Sequence, residues 1–361
     1  MTKKAAGPDF RVGLIGVGPA TEIIARSYRY VSGAAVVAVA DANAERAAKL
    51  AARLGVAAYG DYRDMIAQGG VDAVEIHGRA DEHLAVAQAA CQMKKHFAVH
   101  KPLALSRADA RAIIGAADAA GVRAMMIDPL MHHPLVLAAK AKLDEALVGE
   151  VQMLRWKSHA GGASSFGAAL DPAKFSGDAG HFLLAPAYDK AAAIEFLLGP
   201  IAEVSGYGGA AVRMISFKFA APGRFGVHEA VYSPDLSMQT EAMPVDNGVE
   251  ITGTDGVLWV RNLTATMVEA PKLMLKRKSE VTVWDDKAEY DFAHVLAAVR
   301  NDWVAFLRGG KARATLADGL RALTVNLAAE AAVRESRPIH LEKFRQDRQD
   351  QQDQEDQILR V

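Results

Sequence analysis

The segment RVGLIGVGPATEIIARSYRYV, residues 11–31, constrains this chain more than any other. An apolar run stops at Gly16 and Gly18, and Ile23, Ile24 and Tyr28 follow at helical spacing. AAVVAVAD (34–41) then reads as a second buried strand, ending in Asp41. Strand, glycine turn, helix and strand in this order form the context in which a G-x-G turn holds a dinucleotide. Gly16 allows the tight turn, and Gly18 lets backbone approach a pyrophosphate. Pro19, Ala20 and Thr21 open a helix whose N-terminus faces the phosphates. Thr21 stands where a third glycine is usual, and its hydroxyl either caps the helix or contacts phosphate. Asp41 would accept hydrogen bonds from the adenosine ribose. A carboxylate there repels a 2′-phosphate, so NAD is expected, and NADP stays open because a nearby arginine can override that repulsion.

The alternation continues. AERAAKLAARLG (44–55) is a helix closed by glycine, VDAVEIH (71–77) a strand and DEHLAVAQAACQM (81–93) a helix. HFAVH (96–100), RADARAIIGAADAAG (107–121) and VRAMMID (122–128) repeat strand, helix and strand. Strand and helix in turn imply right-handed crossovers and a parallel sheet covered on both faces. A chain of 361 residues is long for one core, so two domains and a tail are expected. The first is a Rossmann domain at 1–128. The second, at 129–342, carries strands at 151–160, 203–209, 213–220, 225–232, 236–242, 248–253 and 257–262. It closes with helices in HVLAAVRNDWVAFLRGG and ADGLRALTVNLAAEAAVRES, and the helix at 314–335 is expected to pack back on the first domain. Residues 161–180 read as a long loop over the active site, and 343–361 as a solvated polar tail.

Composition excludes several classes. The net charge is −1, which gives no electrostatic reason for a nucleic-acid or membrane partner. No apolar run reaches the ~20 residues that span a bilayer, and MTKKAAGPDF has no apolar core of a secretory signal. Cys91 is the sole cysteine, so no internal disulfide forms and a cytoplasmic location is expected. No H-E-x-x-H or C-x-x-C spacing exists, so no metal site is expected. No G-x-S-x-G elbow appears either.

HFAVHKPLAL (96–105) places Lys101 where a buried strand ends, pinned by Pro102. In open α/β sheets that edge binds ligands. A lysine there can hydrogen-bond a substrate oxygen and relay its proton, or it can reach out to solvent. His77 ends another strand on the same edge. In the second domain, Lys157 or His159 of VQMLRWKSHA is expected to point into the substrate site.

RVGLIGVGPA, VVAVADANAERAAKLA, VDAVEIHGRADEHLAVAQAA and HFAVHKPLAL resemble the glucose–fructose oxidoreductase, inositol dehydrogenase and rhizopine-catabolism family, Gfo/Idh/MocA. DEALVGEVQMLRWK, LLGPIAEV, VEITGTDGVLWV and ADGLRALTVNLAAEAAVRESRPIHL extend the resemblance over residues 10–342. It implies an N-terminal Rossmann domain and a C-terminal α/β domain with a large, mostly antiparallel open sheet, through which a homodimer or homotetramer would form. It implies hydride transfer between nicotinamide and a secondary alcohol or ketone of a sugar, polyol or related ring. Lys101 would be the catalytic lysine of a Glu-Lys-Pro segment. His83 would lie near the nicotinamide, and His132 and His133 would stand where an arginine reaches substrate.

Two departures matter. His100 replaces the glutamate before the lysine. Counting back from LLGP (197–200), the family's Asp-x-x-x-His falls on Ala185 and Asp189. Asp189 then becomes the candidate base or hydroxyl acceptor, with Tyr188 and His181 as rivals and a surface ion pair as the plain alternative. The changed motif keeps two other functions open: glycoside cleavage by transient oxidation and elimination on retained NAD, and dinucleotide sensing without turnover.

Overall fold

The computed structural model describes residues 8–162, 171, 182–238, 240, 243–284 and 292–346. The chain divides into two compact units. One comprises residues 1–134 and 286–320, the other 135–285 and 321–361.

In the first unit, β1 (Phe10–Ile15), β2 (Ala34–Ala40), β3 (Ala57–Tyr59), β4 (Ala73–Ile76), β5 (His96–His100) and β6 (Ala124–Ile127) form a sheet. Their order is β3-β2-β1-β4-β5-β6, and every pairing is parallel. This is the doubly wound order, in which the chain reverses direction across the sheet between β1 and β4 and ligands bind outside the carboxyl ends. The connecting helices are α1 (Thr21–Ser27), α2 (Ala44–Leu54), α3 (Tyr62–Gln68), α4 (His83–Gln92) and α5 (Arg107–Ala120), and α6 (Pro134–Asp144) leads out of the unit. Local sequence sets their limits. Asn43 caps α2 by accepting from the Arg46 N–H at 3.0 Å, a contact of about 1 kcal/mol. Gly55 ends α2 in the left-handed conformation. The pair β3–α3 was not anticipated from the sequence.

A late helix completes this core. Val299, Trp303, Val304 and Leu307 of α8 (Phe292–Leu307) join Val12, Leu14, Tyr28, Val39 and Ala98 in one buried cluster. A helix expected to close the second domain is thus part of the first unit. Its apolar stripe matches the face that β1, β2 and β5 leave to be covered.

Among the described residues of the second unit, nine strands form one sheet of order β14-β13-β12-β11-β7-β10-β9-β8-β15. They are β7 (Val151–Gly161), β8 (Ile201–Gly208), β9 (Val212–Phe219), β10 (Phe225–Ser233), β11 (Val245–Gly253), β12 (Gly256–Val260), β13 (Leu273–Arg277), β14 (Glu280–Trp284) and β15 (Ile339–His340). Only β7 and β10 pair in parallel. The described residues of the expected strand 236–242 are irregular, and the strand there begins at Val245 instead. The hairpin β13–β14 was missed; Lys278 turns it with a φ of 55°. Alternation sorts the sheet into two faces. Leu154, Trp156, Ser158, Ile215 and Ala230 are buried on one, while Met153, Arg155 and Lys157 belong to the other. α7 (Ala191–Leu198) and residues 321–335 of α9 (Leu316–Glu335) belong to this unit. α9 lies against β8, since a Cβ on Gly206 would come within 2.9 Å of Val333.

Candidate active site

The glycine turn follows β1. Gly16 has a φ of 89°, and a Cβ there would meet the Gly78 backbone at 2.4 Å, so only glycine lets the loops after β1 and β4 lie this close. At Gly18 a Cβ would have only Thr21 Oγ1 within 4 Å, at 3.9 Å. Thr21 braces the turn. Its hydroxyl accepts from the Gly18 N–H at 2.8 Å and donates to the Gly16 carbonyl at 3.1 Å. The side chain expected to cap the helix or touch phosphate is thus engaged within the loop. Pro19 and Ala20 complete the turn, and Ala20 is the N-cap without a side-chain hydrogen bond.

Asp41 follows β2. Its Oδ2 accepts from the Val17 N–H at 2.7 Å, tying this carboxylate to the glycine turn. Its Oδ1 accepts from the Asn43 N–H at 2.7 Å and from Arg46 Nη2 at 3.0 Å. The exposed guanidinium of Arg46, a residue the sequence did not point to, stands beside this carboxylate. The cradle fits a dinucleotide: a glycine corner, an open position at Gly18 and an anchored carboxylate at the next strand end.

Lys101 follows β5, and its peptide bond to Pro102 is cis. The register His100↔Ile127 sets Lys101 beside Asp128 at the ends of neighbouring parallel strands. Lys101 Nζ lies 3.2 Å from Asp128 Oδ1, and both side chains are buried. Asp128 was missed. Its signal was available, because VRAMMID ends in an aspartate where HFAVHK ends in a lysine. His100 is no substitute for a carboxylate. Burial first, and then His77 and Lys101, push its titration down to about 3.

The other histidines at this edge are braces. His77 Nε2 lies 2.7 Å from Glu75 Oε2. His83 places Nδ1 at 3.2 Å from the Leu103 carbonyl and Nε2 at 3.2 Å from that of Gly78, so it spans the loops after β4 and β5. Burial, above all, lowers its titration and keeps the ring neutral. His132 joins the Asp128 carbonyl at 3.0 Å to Asp302 Oδ2 at 3.1 Å. His133 is buried, its N–H on the Leu130 carbonyl. His132 and His133, expected at the substrate, are both buried.

In the second unit, Tyr188 and Asp189 lie in the turn before α7 rather than on the helix itself. Asp189 is buried and accepts from Asn326 Nδ2 at 2.8 Å, so it is no surface ion pair. Ala185 lies one turn upstream, its carbonyl accepting from the Asp189 N–H at 3.0 Å. Tyr188 is buried with its ring 4.6 Å from that of Phe182. Burial, then Tyr232 and Asp171, raise its titration far above the ordinary value. His181 lies outside the described residues, as do 163–170 and 172–180 of the expected loop. Lys157 is on the more exposed sheet face, paired with Asp246 Oδ2 at 2.5 Å. His159 shares that face, in register with Asp246. No group of three metal-ligating side chains occurs among the described residues, and no described helix is long and apolar enough to cross a membrane.

Residues 10–127 match the GFO_IDH_MocA family, the oxidoreductase family with an NAD-binding Rossmann fold. The match spans the six-stranded parallel sheet of the first unit. The chain is similar to a D-apiose dehydrogenase of Paraburkholderia graminis, 25% identical over 94% of this chain and 91% of that one. It is 34% identical to an inositol 2-dehydrogenase of Klebsiella pneumoniae over 41% of this chain and 45% of that one. Its fold matches that of an Agrobacterium radiobacter oxidoreductase solved with NAD+, L-tartaric acid and magnesium. The TM-score is 0.77 at 20% identity, covering 93% of this chain and 99% of that one. Both sheets expected from the resemblance are present.

Proposed function

We propose that this protein interconverts a secondary alcohol and its ketone on a polyol, sugar or related ring. The observation that carries this reading is Lys101, buried at the carboxyl end of β5 on the sheet edge that also bears the glycine turn. The names of the relatives, an apiose and an inositol dehydrogenase, support that substrate class. Gly16, Gly18 and Asp41 would hold NAD, which when bound accepts the carbinol hydrogen as hydride. Lys101 Nζ hydrogen-bonds the reacting oxygen and takes the hydroxyl proton. In reduction it returns that proton to the ketone oxygen. Asp189, held by Asn326, is the second unit's candidate for a substrate hydroxyl, with Tyr188 as its rival.

The protein would act in the cytoplasm as a homo-oligomer. Tyr207, Met214 and Phe225 are exposed on the more open face of the second sheet, in a pattern that suits self-association. Following NADH absorbance with D-apiose, myo-inositol and a panel of sugars, polyols and sugar acids tests the function. Reduction of NAD with one of them is expected. NAD binding without reduction by any of them would favour the sensing role that Ala185 leaves open, and glycoside cleavage without net NADH would favour the eliminating one.

A further inference from the structure

A lysine that takes a proton in a buried place becomes an ammonium there, and a buried ammonium is costly without a countercharge. Residue 100 supplies none, because His100 stays neutral. The neighbouring strand does. Lys101 N–H donates to the Ile127 carbonyl at 3.2 Å, so the two strand ends run together up to Asp128. Asp128 Oδ1 accepts from the Leu130 N–H at 3.0 Å, which locks the carboxylate at the head of the short 3-10 turn Pro129–His132. The same oxygen lies 3.2 Å from Lys101 Nζ. Oδ2 is buried and has no hydrogen-bond partner among the described residues.

A cap needs one neutral oxygen, which serine or asparagine also offers. Capping Leu130 therefore does not account for a fully buried negative charge with a spare acceptor. We propose that Asp128 is the positioning residue of the reaction: its carboxylate fixes Lys101 Nζ and holds the ammonium formed when the substrate proton arrives. The inference rests on the proton-handling role of Lys101 given above. In alcohol oxidation the substrate C–H and O–H bonds break and the C=O bond forms. Two electrons leave with the hydride to NAD, and the proton goes to Nζ beside Asp128. Reduction of the ketone reverses each transfer. Asp128 acts through Lys101 and forms no bond to the substrate.

Amine reactivity tests this without any substrate. The full-length protein is treated with acetic anhydride at pH 8, and acetylation of Lys101 is timed by mass spectrometry, with exposed Lys94 as internal reference. A carboxylate within hydrogen-bond reach favours the unreactive ammonium, so Asp128→Asn and Asp128→Ser, which both keep a capping oxygen, should label at Lys101 roughly tenfold faster. Asp128→Glu should restore slow labelling, which a loosened turn would not explain. Should Asp128→Asn fail to fold, Asp128→Ser carries the comparison. Equal rates at Lys101 in wild type and the neutral variants would overturn the proposal. With a substrate from the panel, Asp128→Asn should lower kcat roughly 10- to 100-fold while the Kd for NAD stays unchanged. Wild-type turnover in Asp128→Asn beside an inactive Lys101→Ala would overturn this inference alone. Wild-type turnover in Lys101→Ala would overturn the role of the lysine itself, and with it any catalytic meaning of Asp128.

Discussion

Arg300 Nη2 donates to Glu75 Oε2 at 2.7 Å and so joins α8 to the middle of β4 across 225 residues of sequence. Both side chains are buried. Tyr28 Oη donates to Glu75 Oε1 at 2.5 Å, and His77 Nε2 lies 2.7 Å from Oε2. Burial alone would raise the Glu75 carboxyl, but Arg300, His77 and Tyr28 outweigh it and hold it down to about 2.

Breaking this pair should be costly. Arg300→Met leaves Glu75 buried without its guanidinium and should destabilise the fold by about 3 to 5 kcal/mol. Replacing both, as Glu75→Leu with Arg300→Met, should recover much of that loss. Urea unfolding of the three proteins measures it. The carboxyl is depressed in the folded state, so its stabilisation is full above the ordinary value of 4.5 and is lost as pH falls through about 2. The stability gap between wild type and Glu75→Gln should therefore narrow over that window.

His100 gives a second, separate pH signature. It titrates near 3 when folded and near 6.5 when unfolded, so the unfolded chain binds the extra proton between those values. Wild-type stability should fall as pH drops from 6.5 towards 3, by up to ~1.4 kcal/mol per pH unit from this group. His100→Gln should show a shallower fall. Equal slopes in urea unfolding series from pH 7 to pH 4 would show that another group dominates.

Lys101→Ala should lower kcat by about 10²- to 10⁴-fold, the usual contribution of a general acid or base. The Kd for NAD should stay within about twofold, because the glycine turn and Asp41 would carry that affinity. Asp189→Ala should also slow turnover, whereas Tyr188→Phe should leave kcat near wild type. A reversal of these last two effects in steady-state kinetics would move the role to Tyr188.

Cofactor choice should follow the Asp41–Arg46 pair. Asp41→Ala removes the charge that repels a 2′-phosphate and should relax discrimination against NADP. Arg46→Ala removes the cation that offsets that charge, so binding of NADP should weaken several-fold more than binding of NAD. Calorimetric Kd values for both cofactors check the pair. Unchanged ratios in both variants would place the ribose elsewhere.

Charges on the more open sheet face should disrupt self-association. Tyr207→Glu with Phe225→Glu changes side chains that are 73% and 48% exposed, so the fold of the unit should survive. Light scattering coupled to gel filtration should report a smaller particle than wild type. An unchanged mass would remove this face from the interface.

Local order was legible in the sequence. The glycines at 16 and 18, the aspartate at the end of β2 and the alternation through residue 128 specified a dinucleotide-binding sheet, because turn chemistry and periodicity act within a few residues. The lysine was legible too, since a cation followed by proline at a strand end is unusual in any context. Lys157 shows the limit. A strand pattern gives alternation, but it does not say which of the two faces will be buried.

The fold class, the glycine turn after the first strand and the place of Lys101 at a strand end were all set by local sequence. Tertiary structure alone decided what surrounds them. It assigned the helix at 292–307 to the first unit, because its apolar stripe and Arg300 find their partners in strands more than 200 residues earlier. It turned His77, His83 and His132 into braces, each ring engaging a carbonyl or carboxylate supplied by a separate segment or by the buried face of its own strand. It brought Asp128 to Lys101 through strand register, which fixes neighbours across a sheet and leaves no periodic trace along the chain.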